Sequence, residues 1–172
     1  MTLILGGVRS GKSAHAERLV IDSGLQPVCV ATARVLDGEM AERVRLHQTR
    51  RSSTWVTIEE ALDLPEVLTA RAGPERAILV DCLTLWVTNL LLAGRDVPAA
   101  GDRLLAVLAR RLGPVVMVSN EVGLGIVPLG ELSRAFVDEA GRLHQRIAAA
   151  ADWVRFVAAG LPIDLKTPPA TE

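Results

Sequence analysis

Two short stretches hold residue types that could move phosphate. Gly6-Gly7-Val8-Arg9-Ser10-Gly11-Lys12-Ser13 fits the spacing G-x-x-x-x-G-K-[ST]. In such a loop the glycines let successive backbone N–H groups curl around an anion. The next helix adds its positive end. Lys12 would reach the β and γ oxygens of a nucleoside triphosphate, and Ser13 would offer its hydroxyl to Mg2+. Only Lys12 and Lys166 are lysines among 19 basic residues, so a strong arginine bias spares the one position where a compact ammonium is wanted. Asp81 closes the run ILVD, which suits a carboxylate ordering the magnesium shell.

The second stretch is RVRLHQTRR, where His47 stands among Arg43, Arg45, Arg50 and Arg51. An imidazole attacks phosphorus only when neutral, and neighbouring guanidinium groups lower its pKa and favour that form. They would also neutralise charge on a phosphorus undergoing transfer. A plainer reading remains open. Met40, Val44 and His47 fall on one helical face, so His47 could point into a core with its arginines solvated around the rim.

The elements that must position these groups follow from hydrophobic pattern. Apolar, β-branched runs at 2–6, 27–32, 54–58, 77–81, 115–119 and 153–159, with a short one at 162–166, alternate with helical patterns. The helices are expected at 12–23, 39–50, 59–72, 83–93, 99–112 and 130–151. Strands that are apolar throughout imply a parallel sheet covered on both faces. Gly160 and Pro162 mark a tight turn, so the last strand should run antiparallel. The expected class is a three-layer α/β P-loop (RecA-like) domain over residues 1–166, with 167–172 as a flexible tail. Ligands of such sheets gather at the carboxyl ends of the strands. Here those ends lead into GGVRSGKS, ATARVLDGE, Glu59-Glu60, Asp81 and SNEVGLGIVP.

Bulk properties bound the partners. A net charge of −1 argues against broad attraction to nucleic acid or anionic lipid, so anion binding must be local. Cys29 and Cys82 lie in apolar runs and read as reduced core residues, which suits a cytoplasmic location. The start TLILGG lacks the features of a signal peptide, and the apolar run 77–93 is interrupted by Asp81 and Asn89, so no membrane insertion is expected. No His/Cys spacing suggests zinc. The guanine-reading [NT]-K-x-D motif is missing, and the size suits a small-molecule kinase.

GGVRSGKS, VATARVLDGEMAERVRLHQ, WVTIEE, VDCLTLWVTNLL, SNEVGLGIVP and AGRLHQRIAAAAD together resemble the bifunctional adenosylcobinamide kinase/adenosylcobinamide-phosphate guanylyltransferase family of cobalamin biosynthesis, across essentially the whole chain. The resemblance implies a corrinoid substrate, ATP and GTP as nucleotide substrates, Mg2+, and a trimeric homo-oligomer. It implies His47 as the covalent guanylyl carrier. Ala31, Thr32 and Ala33 would lie beside the nucleotide, Gln48, Thr49, Arg50 and Arg51 against the guanylyl moiety, and Glu59 on the nucleotide. Asn120 and Glu121 either place the acceptor hydroxyl or cap a tight turn. His15 and His144 read as structural. A kinase without guanylyl transfer, and a GTP-binding regulator without turnover, stand as alternatives.

Overall fold

The computed structural model describes residues 1–34 and 54–169, so the expected helix at 39–50 and His47 lie outside the described residues. Seven strands form one sheet: β1 (Thr2–Gly6), β2 (Gln26–Ala31), β3 (Val56–Glu59), β4 (Arg76–Asp81), β5 (Val115–Asn120), β6 (Trp153–Ala158) and β7 (Leu161–Lys166). Their order is β3-β2-β4-β5-β1-β6-β7. Every pairing is parallel except β6 with β7, which is antiparallel as the Gly160 turn requires. β5 is inserted between β1 and β4.

The strands are apolar on both sides because both sides are covered. Leu3, Val28, Val30, Ile78, Val80 and Met117 face one core, and Ile4, Cys29, Leu79, Val116 and Val118 face the other. The first core is closed by α2 (Leu64–Arg71), α3 (Leu83–Leu92), α4 (Val97–Ala109) and α5 (Glu131–Ala150). The second is closed by α1 (Lys12–Asp22) through Ala16 and Val20. Each buried aliphatic side chain contributes roughly 1.5–3 kcal/mol, so this two-sided burial outweighs any local preference. Cys29 and Cys82 form no disulfide and are buried in the second core.

Two helix starts differ by more than one residue from the sequence expectation, and side chains explain both. The helix expected from residue 59 begins at Leu64, because Glu59 completes β3 in register with Ala31. Glu60 then turns the chain by accepting the N–H groups of Leu62 and Asp63 (2.8 and 2.9 Å). The helix expected from Ala99 begins at Val97, capped by Asp96 Oδ1, which accepts Ala99 N–H at 2.9 Å.

Candidate active site

Parallel pairing lines up the carboxyl ends of five strands. Gly6 is in register with Asn120, and Ala31 with both Asp81 and Glu59. The described residues expected to do chemistry therefore share one edge of the sheet, while His47 and Gln48 to Arg51 lie outside the described residues. The loop after β1 sits between its neighbours β5 and β6.

That loop is shaped by close packing. A Cβ on Gly6 would come within 2.5 Å of Val157 O and 2.7 Å of Ser10 Oγ, so no side chain fits there. Arg9 (φ 57°) and Gly11 (φ 93°) occupy the left-handed region and bend successive peptides inward, as an anion-binding nest requires. The turn closes with Ser10 N–H donating to Gly7 O at 3.3 Å. It is braced from outside: Gly160 N–H, at the tip of the β6–β7 hairpin, donates to Ser10 O at 2.7 Å. A Cβ on Gly11 would lie 3.0 Å from Gly160 Cα, so these two glycines meet where neither loop nor hairpin has room to spare. Gly7, Val8 and Arg9 are exposed at the rim.

Lys12 is buried, and its Nζ donates to Gly7 O at 3.1 Å, spanning the loop. Burial lowers its pKa, and the neighbouring Cys82 and Asp81 oppose that shift. Burial also keeps the Cys82 thiol protonated, so Asp81 is the charge that matters near neutral pH. Ser13, in the first turn of α1, and Asp81, at the end of β4, are both partly exposed at this edge. A hydroxyl and a carboxylate are hard oxygen donors. They fit Mg2+, which takes one or two protein oxygens and completes its shell with phosphate and water. Among the described residues no cluster of three His, Cys, Asp or Glu could hold a metal unaided.

Thr32 proves to be a strut. Its hydroxyl is fully buried, donates to Cys82 O at 2.6 Å and accepts Cys82 N–H at 2.9 Å, clamping the β2 turn to the end of β4. Asn89 of α3 donates to Thr32 O (2.8 Å) and Ala61 O (3.2 Å), holding three crossings together. Sequence reasoning assigned Asn89 no role, although a lone amide in the apolar helix LTLWVTNLLL signals a buried partner. Thr84 was missed as well. Its Oγ1 accepts both the backbone and side-chain N–H groups of Asn120, at 3.4 and 3.2 Å. Glu121 N–H donates to Gly6 O at 3.1 Å, while its carboxylate accepts Gly123 N–H at 2.6 Å. Asn120 and Glu121 thus fasten the β5 end to the phosphate loop and cap the following turn.

The two described histidines are tied into the scaffold. His144 of α5 shares a 2.6 Å hydrogen bond with Ser119 Oγ, and burial lowers its pKa against the weaker pull of Glu121. His15 of α1 lies 3.3 Å from Arg155, with its pKa lowered by burial and then by the guanidinium groups of Arg155 and Arg18. Arg155 in turn pairs with Asp164 at 2.7 Å and stacks over Trp153, so this histidine anchors α1 to the hairpin.

Comparison with known proteins gives the family. Residues 2–165 match the family model of cobinamide kinase / cobinamide phosphate guanyltransferase. The chain belongs to that family. It is 53% identical over 169 residues to the bifunctional adenosylcobalamin biosynthesis protein CobP of Pseudomonas aeruginosa, covering 97% of this chain and 98% of that one. It is 44% and 41% identical to the bifunctional adenosylcobalamin biosynthesis proteins CobU of Salmonella typhimurium and Escherichia coli, each match covering 96% of this chain and 99% of the relative. Among solved structures, the RadB recombinase aligns over 90% of this chain and 72% of its own with a TM-score of 0.46 and 13% identity. As a member of the cobinamide kinase/guanyltransferase family, the chain is an enzyme of cobalamin biosynthesis with nucleotide and corrinoid substrates. No described helix is long and apolar enough to cross a membrane.

Proposed function

We propose that the two reactions run on one nucleotide site and that His47 is the covalent carrier between GTP and the corrinoid. The observation that supports a single site is the placement of Lys12 beside Asp81 under a loop whose backbone is shaped for phosphate. In the kinase step the aminopropanol hydroxyl oxygen of adenosylcobinamide attacks the γ phosphorus. A new O–P bond forms, the bond to the β–γ bridging oxygen breaks, and the hydroxyl proton leaves. Lys12 and the loop N–H groups hold the β and γ oxygens as charge moves onto the nucleoside diphosphate. Ser13 and Asp81 would hold Mg2+, which supplies charge neutralisation at those oxygens when bound.

In the second reaction the same grip makes the β and γ phosphates a leaving group. A neutral His47 nitrogen attacks the α phosphorus of GTP, a P–N bond forms, and pyrophosphate departs. An oxygen of adenosylcobinamide phosphate then attacks that phosphorus and breaks the P–N bond, freeing His47 and giving adenosyl-GDP-cobinamide. The covalent relay replaces one difficult alignment with two simpler ones. Ala31, Ala33 and Glu59 line the nucleotide from the β2 and β3 ends, Thr32 holds that turn in place, and Gln48 to Arg51 meet the guanylyl group. The active form is a cytoplasmic trimer in this reading, after the family resemblance.

Incubation with Mg2+ and GTP labelled at the α phosphorus, followed by denaturation, tests the carrier. Acid-labile, base-stable label is expected on the wild type and absent from His47→Ala. An unlabelled wild type that still phosphorylates adenosylcobinamide would leave a kinase alone. Tight GTP binding without either reaction would leave a regulator.

A further inference from the structure

The loop between β5 and α5 carries a feature the nucleotide chemistry does not use. From Val122 to Gly130 the sequence VGLGIVPLG contains no polar side chain, yet the segment lies on the surface. Ile126 is 97% exposed and Leu129 98%, with Leu124 and Val127 also mostly exposed. Four large apolar side chains do not stand together in water without a partner to cover them. The loop's root is fastened to the active site: Asn120 is in register with Gly6, and Glu121 N–H donates to Gly6 O. At the loop's far end a groove opens between α3 and α5, lined by Thr88, Leu91, Leu92, Leu132, Ser133 and Phe136.

We infer that this uncharged loop and the adjoining groove are the platform on which the corrinoid macrocycle rests while its side arm reaches the phosphate loop. This rests on the corrinoid substrate class of the reading above and assigns it a surface. A corrin ring presents a broad, largely apolar face rimmed by amides. It needs a flat apolar support next to, but outside, the polar phosphate site, and this loop stands at that place. The groove encloses about 210 Å³, enough for a peripheral arm and too little for a ring, so the face of the ring would lie on Leu124, Ile126, Val127 and Leu129. A second copy of the chain is the competing occupant. The position favours substrate, because the loop leaves the sheet at Glu121, whose N–H is bonded to Gly6 O at the start of the phosphate loop.

The test uses the full-length enzyme carrying Ile126→Ser with Leu129→Ser, and separately Leu92→Ser. The two loop side chains touch little besides water, so folding is expected to hold, as read by circular dichroism and melting temperature. The KM for adenosylcobinamide in the kinase reaction is expected to rise about ten- to a hundredfold in the loop double variant, the loss of a few apolar contacts. The KM for GTP and the yield of self-guanylylation, which needs no corrinoid, are expected to stay at wild-type values. An unchanged corrinoid KM in the folded double variant would overturn the proposal. So would dissociation of the oligomer, measured by light scattering, with corrinoid KM intact, since that outcome assigns the surface to a neighbouring subunit. A wild-type enzyme that phosphorylates no corrinoid would instead sink the functional reading on which the platform depends.

Discussion

The ammonium of Lys12 and the imidazole of His144 are both held against their ordinary ionisation by burial, with opposite consequences. Lys12 keeps a carboxylate neighbour, and in the function proposed above it gains phosphate oxygens when substrate binds, so that its charge serves the reaction. Among the described residues His144 meets the hydroxyl of Ser119 at 2.6 Å and the weaker opposing pull of Glu121, so burial favours its neutral form. Its folded pKa lies below the ordinary imidazole value of 6.5, and the unfolded chain binds the proton first on acidification. Stability contributed by this site is therefore present above 6.5 and lost as pH falls from there toward the folded value. The urea midpoint of the wild type should drop more between about pH 7.5 and about pH 5.5 than that of His144→Gln, which keeps a hydrogen bond to Ser119 without a titrating group. Equal slopes for the two proteins would contradict this account. At this scale the sequence was informative about Lys12, Ser13 and Asp81, because motif spacing reports backbone geometry directly. It was silent about Thr84 and Asn89, whose partners lie in other elements.

The elements show where pattern ends and side-chain chemistry begins. The continuous helical pattern from Glu59 reads through a strand end, a turn and a helix start, since acidic residues and leucines satisfy all three. What resolves them is Glu60, whose carboxyl is held below the ordinary carboxylate range by the N–H groups of Leu62 and Asp63. Trp86 then fixes the same turn by donating its indole N–H to Leu62 O at 2.8 Å, a contact no local pattern contains. Glu60→Ala should cost about 0.5–2 kcal/mol, in the range of lost helix caps, as measured by chemical unfolding at neutral pH. The folded pKa is depressed, so the contribution is present above 4.5 and lost as pH falls through the folded value. The gap between the wild type and Glu60→Ala should therefore narrow in acid. The strands β1, β2, β4 and β5, in contrast, were legible, because a strand buried on both faces is apolar throughout, although which residues face which core was not.

Over the whole molecule, the parallel sheet and its one antiparallel strand could be read from the alternation of strands and helices and from the Gly160 turn. The order of strands could not, since any of several right-handed crossovers would bury the same residues. That order matters for function: it puts the phosphate loop between β5 and β6, so nucleotide bound there is linked to the folding of the central sheet. GTP with Mg2+ at a hundredfold excess over its Kd should stabilise the protein by about 2.7 kcal/mol, seen as a rise in melting temperature. The Lys12→Ala protein should show much less of that rise at the same concentration. An equal rise in both would place the nucleotide elsewhere.

The contact between Gly160 and the peptide of Ser10 has a practical corollary for anyone sorting natural variants of this enzyme. A substitution at the bend between the last two strands sits about as far from the glycine signature as the chain allows, and a scan guided by linear proximity would pass over it. Because that bend is the outer wall of the cradle, damage there would surface as poor triphosphate affinity in a protein whose every recognised signature letter is intact.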